Sequence, residues 1–207
     1  ATWLDSDGGC EDGMRAALPS AALDAHLSDK GPKGNMYARL YDQLLPPRRC
    51  GARGVLEVGI GSLDPNVPFD MSWTQHATGW QRLFPFSAER PNGTYSPGAS
   101  LRAWRDIFPA ANVIGFDVDR AALVQGPRLS SHLCNTLNAT RVRELLNGHM
   151  FDFIVDDGNH MDIAQRVTLR ALWPYLRTGG LYVIEDLGLK ALFSFERELP
   201  QAVAVST

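Results

Sequence analysis

Cysteine is scarce in this sequence: Cys10, Cys50 and Cys134 are an odd, scattered set in 207 residues. That spacing suggests neither a disulfide framework nor a zinc site, and a reducing compartment is the simpler expectation. Basic residues show no excess, with 20 Lys and Arg against 23 Asp and Glu for a formal net charge of −3. A chain built to coat nucleic acid would carry the opposite balance, because phosphates are neutralised by Lys and Arg. No apolar run approaches the roughly 18–20 residues needed to span a bilayer. The opening segment, ATWLDSDGGCEDG, lacks the basic and apolar regions of a secretory signal. These absences exclude nucleic-acid and membrane partners and point to a cytoplasmic setting.

What remains is the length of one domain with an ordinary globular composition, 44% hydrophobic and 21% charged. The first 50 residues read as a helical lead-in, with one helix over Ala16–Leu27. The turn cluster Ser28-Asp29-Lys30-Gly31-Pro32 follows, and then Met36, Leu40, Leu44 and Leu45 at helical spacing before Pro46-Pro47. From residue 51 the pattern changes. The apolar run Gly54–Val58 breaks into Gly59-Ile60-Gly61, as a buried parallel strand does at its end.

Further strands are expected at Val113–Asp119, Phe151–Gly158 and Leu181–Asp186. Helices are expected at Ser100–Phe108, with Ser100 as N-cap, at Arg141–Leu146, and at Ile163–Leu176, capped by Gly179-Gly180. Strand and helix in alternation imply right-handed crossovers and a doubly wound, mostly parallel α/β sheet. Residues 62–99 break the rhythm. They hold Trp73, Trp80, Phe69, Phe84, Phe86 and Tyr95 with little periodicity. A long aromatic loop after the first strand reads as a lid or substrate-facing insertion.

Ligands of open α/β sheets bind outside the carboxyl ends of the strands. Four strands here finish in a glycine turn or in acids: Glu57 before Gly59 and Gly61, then Asp117/Asp119, Asp156/Asp157 and Glu185/Asp186. One such pair alone is equally well a solvated strand end or a helix cap. Several on one edge are costly in repulsion unless a cation or ligand donors compensate. The glycine turn is not a dinucleotide fingerprint, since Asp64 stands where the third glycine belongs and Glu57 is foreign to it. The pattern E-x-G-x-G, with an acid ending the next strand, suits a nucleoside with a cationic amino-acid tail. That is the chemistry of S-adenosylmethionine.

The segments Val55–Gly61, Ser100–Trp104, Gly115–Asp119, Val155–His160 and Gly179–Asp186 resemble the class I, Rossmann-like methyltransferases. They resemble most the metal-dependent sugar O-methyltransferases of macrolide biosynthesis, of the mycinamicin and macrocin type. The resemblance runs from about Ser28, where Ser-Asp-Lys-Gly also fits, to Asp186. Its most specific part is Asp-Asp-Gly-x-His followed by Glu-Asp 28 residues after the second Asp. The resemblance implies Asp157, Glu185 and Asp186 as ligands of Mg²⁺ or another divalent cation, and His160 as catalytic base beside Asp157. It also implies Glu57, Gly59, Gly61, Ser100 and Asp117 around S-adenosylmethionine, with Asp156 lining the same pocket.

The chemistry agrees with those roles. Methyl transfer from a sulfonium needs alignment and removal of a proton from a weakly nucleophilic hydroxyl. A hard cation on carboxylates and a neighbouring His supply that. The expected function is thus O-methylation of a hydroxyl on a small polar or glycosylated metabolite. The alternatives are a noncatalytic cofactor- or nucleotide-binding module of the same fold and a nicotinamide-dependent oxidoreductase. His26, His132 and His149 read as incidental, and His76 lies in the aromatic insertion. Two features depart from the family: the 62–99 insertion, and only one helix-like stretch (Leu189–Leu199) and one strand-like stretch (Gln201–Ser206) after Asp186. Either the chain is truncated or the sheet is abbreviated, with its edge covered by a partner chain such as a second copy in a homodimer.

Overall fold

The computed structural model describes residues 18–32, 37–46, 49–64, 66, 95–188 and 195. Most of the aromatic insertion, His76 and the stretches expected after Asp186 lie outside the described residues, Phe195 excepted.

β1 (Gly54–Val58) is buried along its whole length. It runs parallel to β2 (Asn112–Asp117) on one side and to β4 (Phe151–Asp156) on the other. β3 (Leu129–Leu133) and β5 (Leu176–Ile184) complete, among the described residues, a five-stranded sheet of order β3-β2-β1-β4-β5, every pairing parallel. The order reverses at β1, so the crevice between the β1 and β4 ends is where such a sheet takes its ligand.

Alternation along the strands feeds two cores. Val55, Val113, Phe153 and Val155 face α1 (Pro19–Ala25), α2 (Ala38–Leu44) and α3 (Ala99–Ile107). Leu56, Val58, Ile114, Phe116 and Ile154 face α4 (Ala139–Leu146) and α5 (Asp162–Leu172). The sheet is doubly wound, as expected. On the first face Tyr41, Trp104 and Phe153 meet edge to face, with ring centroids 5.0–6.0 Å apart. This geometry suits the ring quadrupoles. The two polar-tipped members, Tyr41 and Trp104, point their tips towards the strand ends.

The structure corrects several local expectations. β3 falls where none was expected; its sequence Leu-Ser-Ser-His-Leu is polar at its three central positions, as an edge strand can be. Ser100 is not the cap of α3. Gly98 is, in a left-handed conformation (φ +77°) that glycine adopts without strain, and Ser100 sits inside the first turn. α4 begins two residues earlier than expected, where the Asn138 side chain accepts from the Arg141 amide at 3.1 Å. Gly179 and Gly180 cap nothing; they lie within β5, where the register against β4 shifts and Gly179 has φ +82°.

Cys134 is free and buried, which pushes its thiol up to about 11. Cys50 is disulfide-bonded, where the cysteine spacing suggested no disulfide framework. Among the described residues no helix is long and apolar enough to cross a membrane.

Candidate active site

The parallel register carries the expected residues to one edge. Beyond β1, the Gly59 amide continues the ladder to Phe116 O at 2.9 Å. The Asp157 amide reaches Val58 O at 2.9 Å, and the Glu185 amide reaches Asp156 O at 3.0 Å. The glycine turn, Asp157 and Glu185 thus emerge side by side. Gly59 and Gly61 have φ of +83° and +88°, the left-handed region where a β-carbon is costly.

Asp117 braces this turn. Its Oδ2 accepts from the amides of Ile60 (2.8 Å) and Gly61 (3.2 Å), and its Oδ1 accepts from Asp119 at 2.8 Å. Tyr95, at the far end of the insertion, closes over the turn by donating to Ile60 O at 2.7 Å. Glu57 lies beneath, fully buried. Its Oε2 accepts from Ser100 Oγ at 2.7 Å and from Trp104 Nε1 at 3.1 Å. Burial pushes the Glu57 carboxyl up to about 7, against the opposing pull of Lys30 and Ser100. Glu57 and Ser100 therefore bond to each other and form the floor under the turn, where sequence reasoning placed them around the cofactor.

The acidic side is organised by the segment before β1. Gly31 N donates to Ser28 O at 3.1 Å, and the turn folds the Lys30 side chain inward to 1% exposure. Its ammonium is 2.6 Å from Glu185 Oε2 and 3.4 Å from Glu57 Oε1, and it donates to Asp157 Oδ2. Burial acts to lower the Lys30 pKa, yet these carboxylates together hold it well above the ordinary lysine value. On the other flank Tyr41 donates to Glu185 Oε1 and Tyr37 donates to Asp186 Oδ1 at 2.5 Å. Tyr37 caps α2 and Tyr41 lies one turn on, so one helix edge holds two consecutive acids.

Asp157, His160 and Asp186 converge, each offering a ligand atom within 4.8 Å of the others, and His160 Nε2 is 3.7 Å from Asp186 Oδ2. Two carboxylates so placed fit a hard divalent cation, with the imidazole standing beside them. Glu185, expected as the third acidic ligand, does not join this group, because its oxygens face Lys30 and Tyr41. Asp156 is buried behind Asp157, and burial pushes its carboxyl up to about 7 despite the Gly158 amide. Asp186 adopts φ +52°, a strained conformation for a residue with a side chain and one found often at functional sites. His160 does not cap α5: the cap is Met161, with no side-chain bond.

Sequence reasoning missed Lys30, Tyr37, Tyr41 and Trp104 as parts of this site. Within the family resemblance, Ser28–Gly31 hinted at the first and Ser100–Trp104 at the last.

No protein-family model matches the chain. It is 30% identical over 162 residues to L-olivosyl-oleandolide 3-O-methyltransferase of Streptomyces antibioticus, covering 77% of this chain and 34% of that protein. It is 34% identical over 91 residues to mycinamicin VI 2''-O-methyltransferase of Micromonospora griseorubida, covering 44% and 23%. It is 29% identical over 163 residues to 8-demethyl-8-(2-methoxy-alpha-L-rhamnosyl)-tetracenomycin-C 3'-O-methyltransferase of Streptomyces olivaceus, covering 78% and 35%. The chain spans about a third or less of the length of these relatives. Among solved structures it matches MycE methyltransferase from the mycinamycin biosynthetic pathway, in complex with Mg and SAH. The TM-score is 0.63 at 23% identity, over 87% of this chain and 41% of that one. The same enzyme with Mg, SAH and mycinamycin VI matches over 90% and 42%, also with a TM-score of 0.63. By sequence this chain is similar to O-methyltransferases of oleandolide, mycinamicin and tetracenomycin sugars, and its fold is that of MycE methyltransferase.

Proposed function

We propose that the chain transfers a methyl group from S-adenosylmethionine to a sugar-type hydroxyl of a small glycosylated metabolite, in a cation-assisted reaction. The observation that carries this reading is the convergence of Asp157, His160 and Asp186 beside the Gly59–Gly61 turn. Names of relatives and solved neighbours support it: the relatives are O-methyltransferases, and the solved MycE complexes hold Mg and SAH.

In this reading the open glycine turn admits the cofactor, Asp117 faces its ribose hydroxyls, Asp156 lines the pocket, and Glu57 and Ser100 hold the floor. Asp157 and Asp186 hold the divalent cation, and Glu185 supports them through Lys30 and Tyr41. When bound, the cation lowers the acceptor hydroxyl's pKa and orients it. His160 takes the hydroxyl proton as the oxygen–methyl bond forms and the carbon–sulfur bond breaks, releasing S-adenosylhomocysteine. Asp186 orients the imidazole and stabilises the imidazolium that results. A cytoplasmic homodimer completes the proposal.

Thermal unfolding with S-adenosylmethionine, SAH and NAD, each with and without Mg²⁺, tests the reading. A ligand bound only by the folded state at 100 times its Kd adds about 2.7 kcal/mol. The expected result is a rise with the S-adenosyl ligands. A rise with NAD alone would overturn it in favour of the oxidoreductase. With a glycosylated macrolide as acceptor, H160A is expected to lower turnover by about 10²–10⁴-fold while leaving SAH binding intact. Unchanged turnover in H160A would remove the base assignment.

A further inference from the structure

One side chain touches both halves of this site, and it comes from outside the sheet. Lys30 reaches Glu57 beneath the glycine turn, and Asp157 and Glu185 on the cation side. Its three partners leave three different strand ends, those of β1, β4 and β5. The ammonium donates hydrogen bonds to Asp157 and Glu185, and Glu57 Oε1 stands 3.4 Å from it as an ion pair. Lys30, Glu57 and Glu185 are all at most 2% exposed. With so little access for water, a carboxylate that shifts cannot be replaced by solvent at the ammonium; the ammonium must follow it, and the other two carboxylates must adjust.

Both ends of this bridge reach the proposed ligands. Glu57 is fixed through Ser100 and Trp104 to α3, directly under the turn that would carry the cofactor. Asp157 is itself a member of the Asp157–His160–Asp186 group. The arrangement is fastened from behind by Tyr41, so Glu185 cannot absorb a movement freely.

We propose that Lys30 is a positioning residue that couples the two halves of the site, so that settling a cofactor on the glycine turn presets Asp157 for a divalent cation, and the reverse. The inference rests on the methyltransferase reading and goes beyond it. The coupling is reciprocal: SAH tightens Mg²⁺ by the same factor by which Mg²⁺ tightens SAH.

Calorimetric titration of MgCl₂ into the protein, with and without saturating SAH, measures that factor. The wild type is expected to bind Mg²⁺ at least about fivefold more tightly with SAH present. E57Q keeps Lys30 paired with Asp157 and Glu185 but removes the charge under the turn. Whatever its affinity for either ligand alone, its coupling factor is expected to fall below about twofold. K30M, checked for folding by circular dichroism, is expected to behave in the same way, and E57Q carries the test where K30M does not fold. A wild type that binds both ligands independently overturns this inference alone, as does E57Q with the full wild-type coupling. A wild type that binds neither SAH nor Mg²⁺ overturns the methyltransferase reading, and the coupling with it.

Discussion

Gly59 and Asp157 are pressed together backbone to backbone: a β-carbon on Gly59 would stand 2.0 Å from the Asp157 carbonyl oxygen. The first glycine of the turn is therefore required by the fold itself, before any ligand is considered. G59A combines a left-handed conformation, costing about 1–2 kcal/mol, with overpacking against a strand end, costing about 1–3 kcal/mol. A loss of about 2–5 kcal/mol is expected, read as a lower urea midpoint. The same displacement moves Asp157, so Mg²⁺ affinity in the folded fraction falls too. A G59A protein as stable as the wild type would contradict this packing.

Asp186 joins two functions in one side chain. It accepts from Tyr37 and stands in the group with Asp157 and His160. D186N keeps an acceptor for Tyr37 and tolerates the positive φ almost as well as Asp. Stability within about 0.5 kcal/mol of wild type is expected. Divalent-cation affinity, by contrast, falls at least tenfold in a calorimetric titration. Unchanged cation affinity would place the cation elsewhere.

The two tyrosines of α2 should differ in weight. Tyr41 is fully buried and donates to a buried carboxylate, whereas Tyr37 is half-buried and donates to the more exposed Asp186. A hydrogen bond to a charged group contributes about 1.5–3 kcal/mol, and a buried acceptor left without its donor keeps the full penalty. Y41F is therefore expected to lower unfolding free energy by about 1.5–3 kcal/mol, and Y37F by less than about 1 kcal/mol. Equal losses in denaturant melts would show that Glu185 is satisfied without Tyr41.

Asp156 gives the chain a pH signature. Its folded value of about 7 lies above its ordinary 3.8, because burial disfavours the charged form. A carboxyl with a raised folded pKa binds its proton more tightly in the native state. Its contribution to stability is thus fully present at pH values below its unfolded pKa, falls as pH rises towards about 7, and is constant beyond. Between pH 5 and 8 the wild type should lose about 3 kcal/mol relative to D156N, which cannot ionise there. Glu57, also raised to about 7, bends the pH curve of both proteins in the same direction and cancels in the comparison. A parallel pair of pH curves would refute the shift.

The sequence by itself determined the sheet and its chemical edge. Short apolar runs ending in glycine or acid make β1, β2, β4 and β5 legible, because buried parallel strands need continuous hydrophobicity. The sheet rule then places Asp117, Asp157 and Glu185/Asp186 together. β3 escaped because an edge strand need bury only part of its length, so Leu129–Leu133 carries no such run. Gly179-Gly180 misled because a glycine pair looks the same after a helix as inside a bulged strand.

Only the tertiary structure decided what the acids do to one another. Nothing local marks Lys30 as the partner of carboxylates 27, 127 and 155 residues away. Nothing local turns Glu185 towards Tyr41 and Asp186 towards Tyr37. Those choices arise when α2 and the Ser28–Gly31 turn pack over the β1, β4 and β5 ends. Three carboxylates buried at one place must then find a cation within the chain, because the cost of burying charge without a partner is too large for the fold to bear.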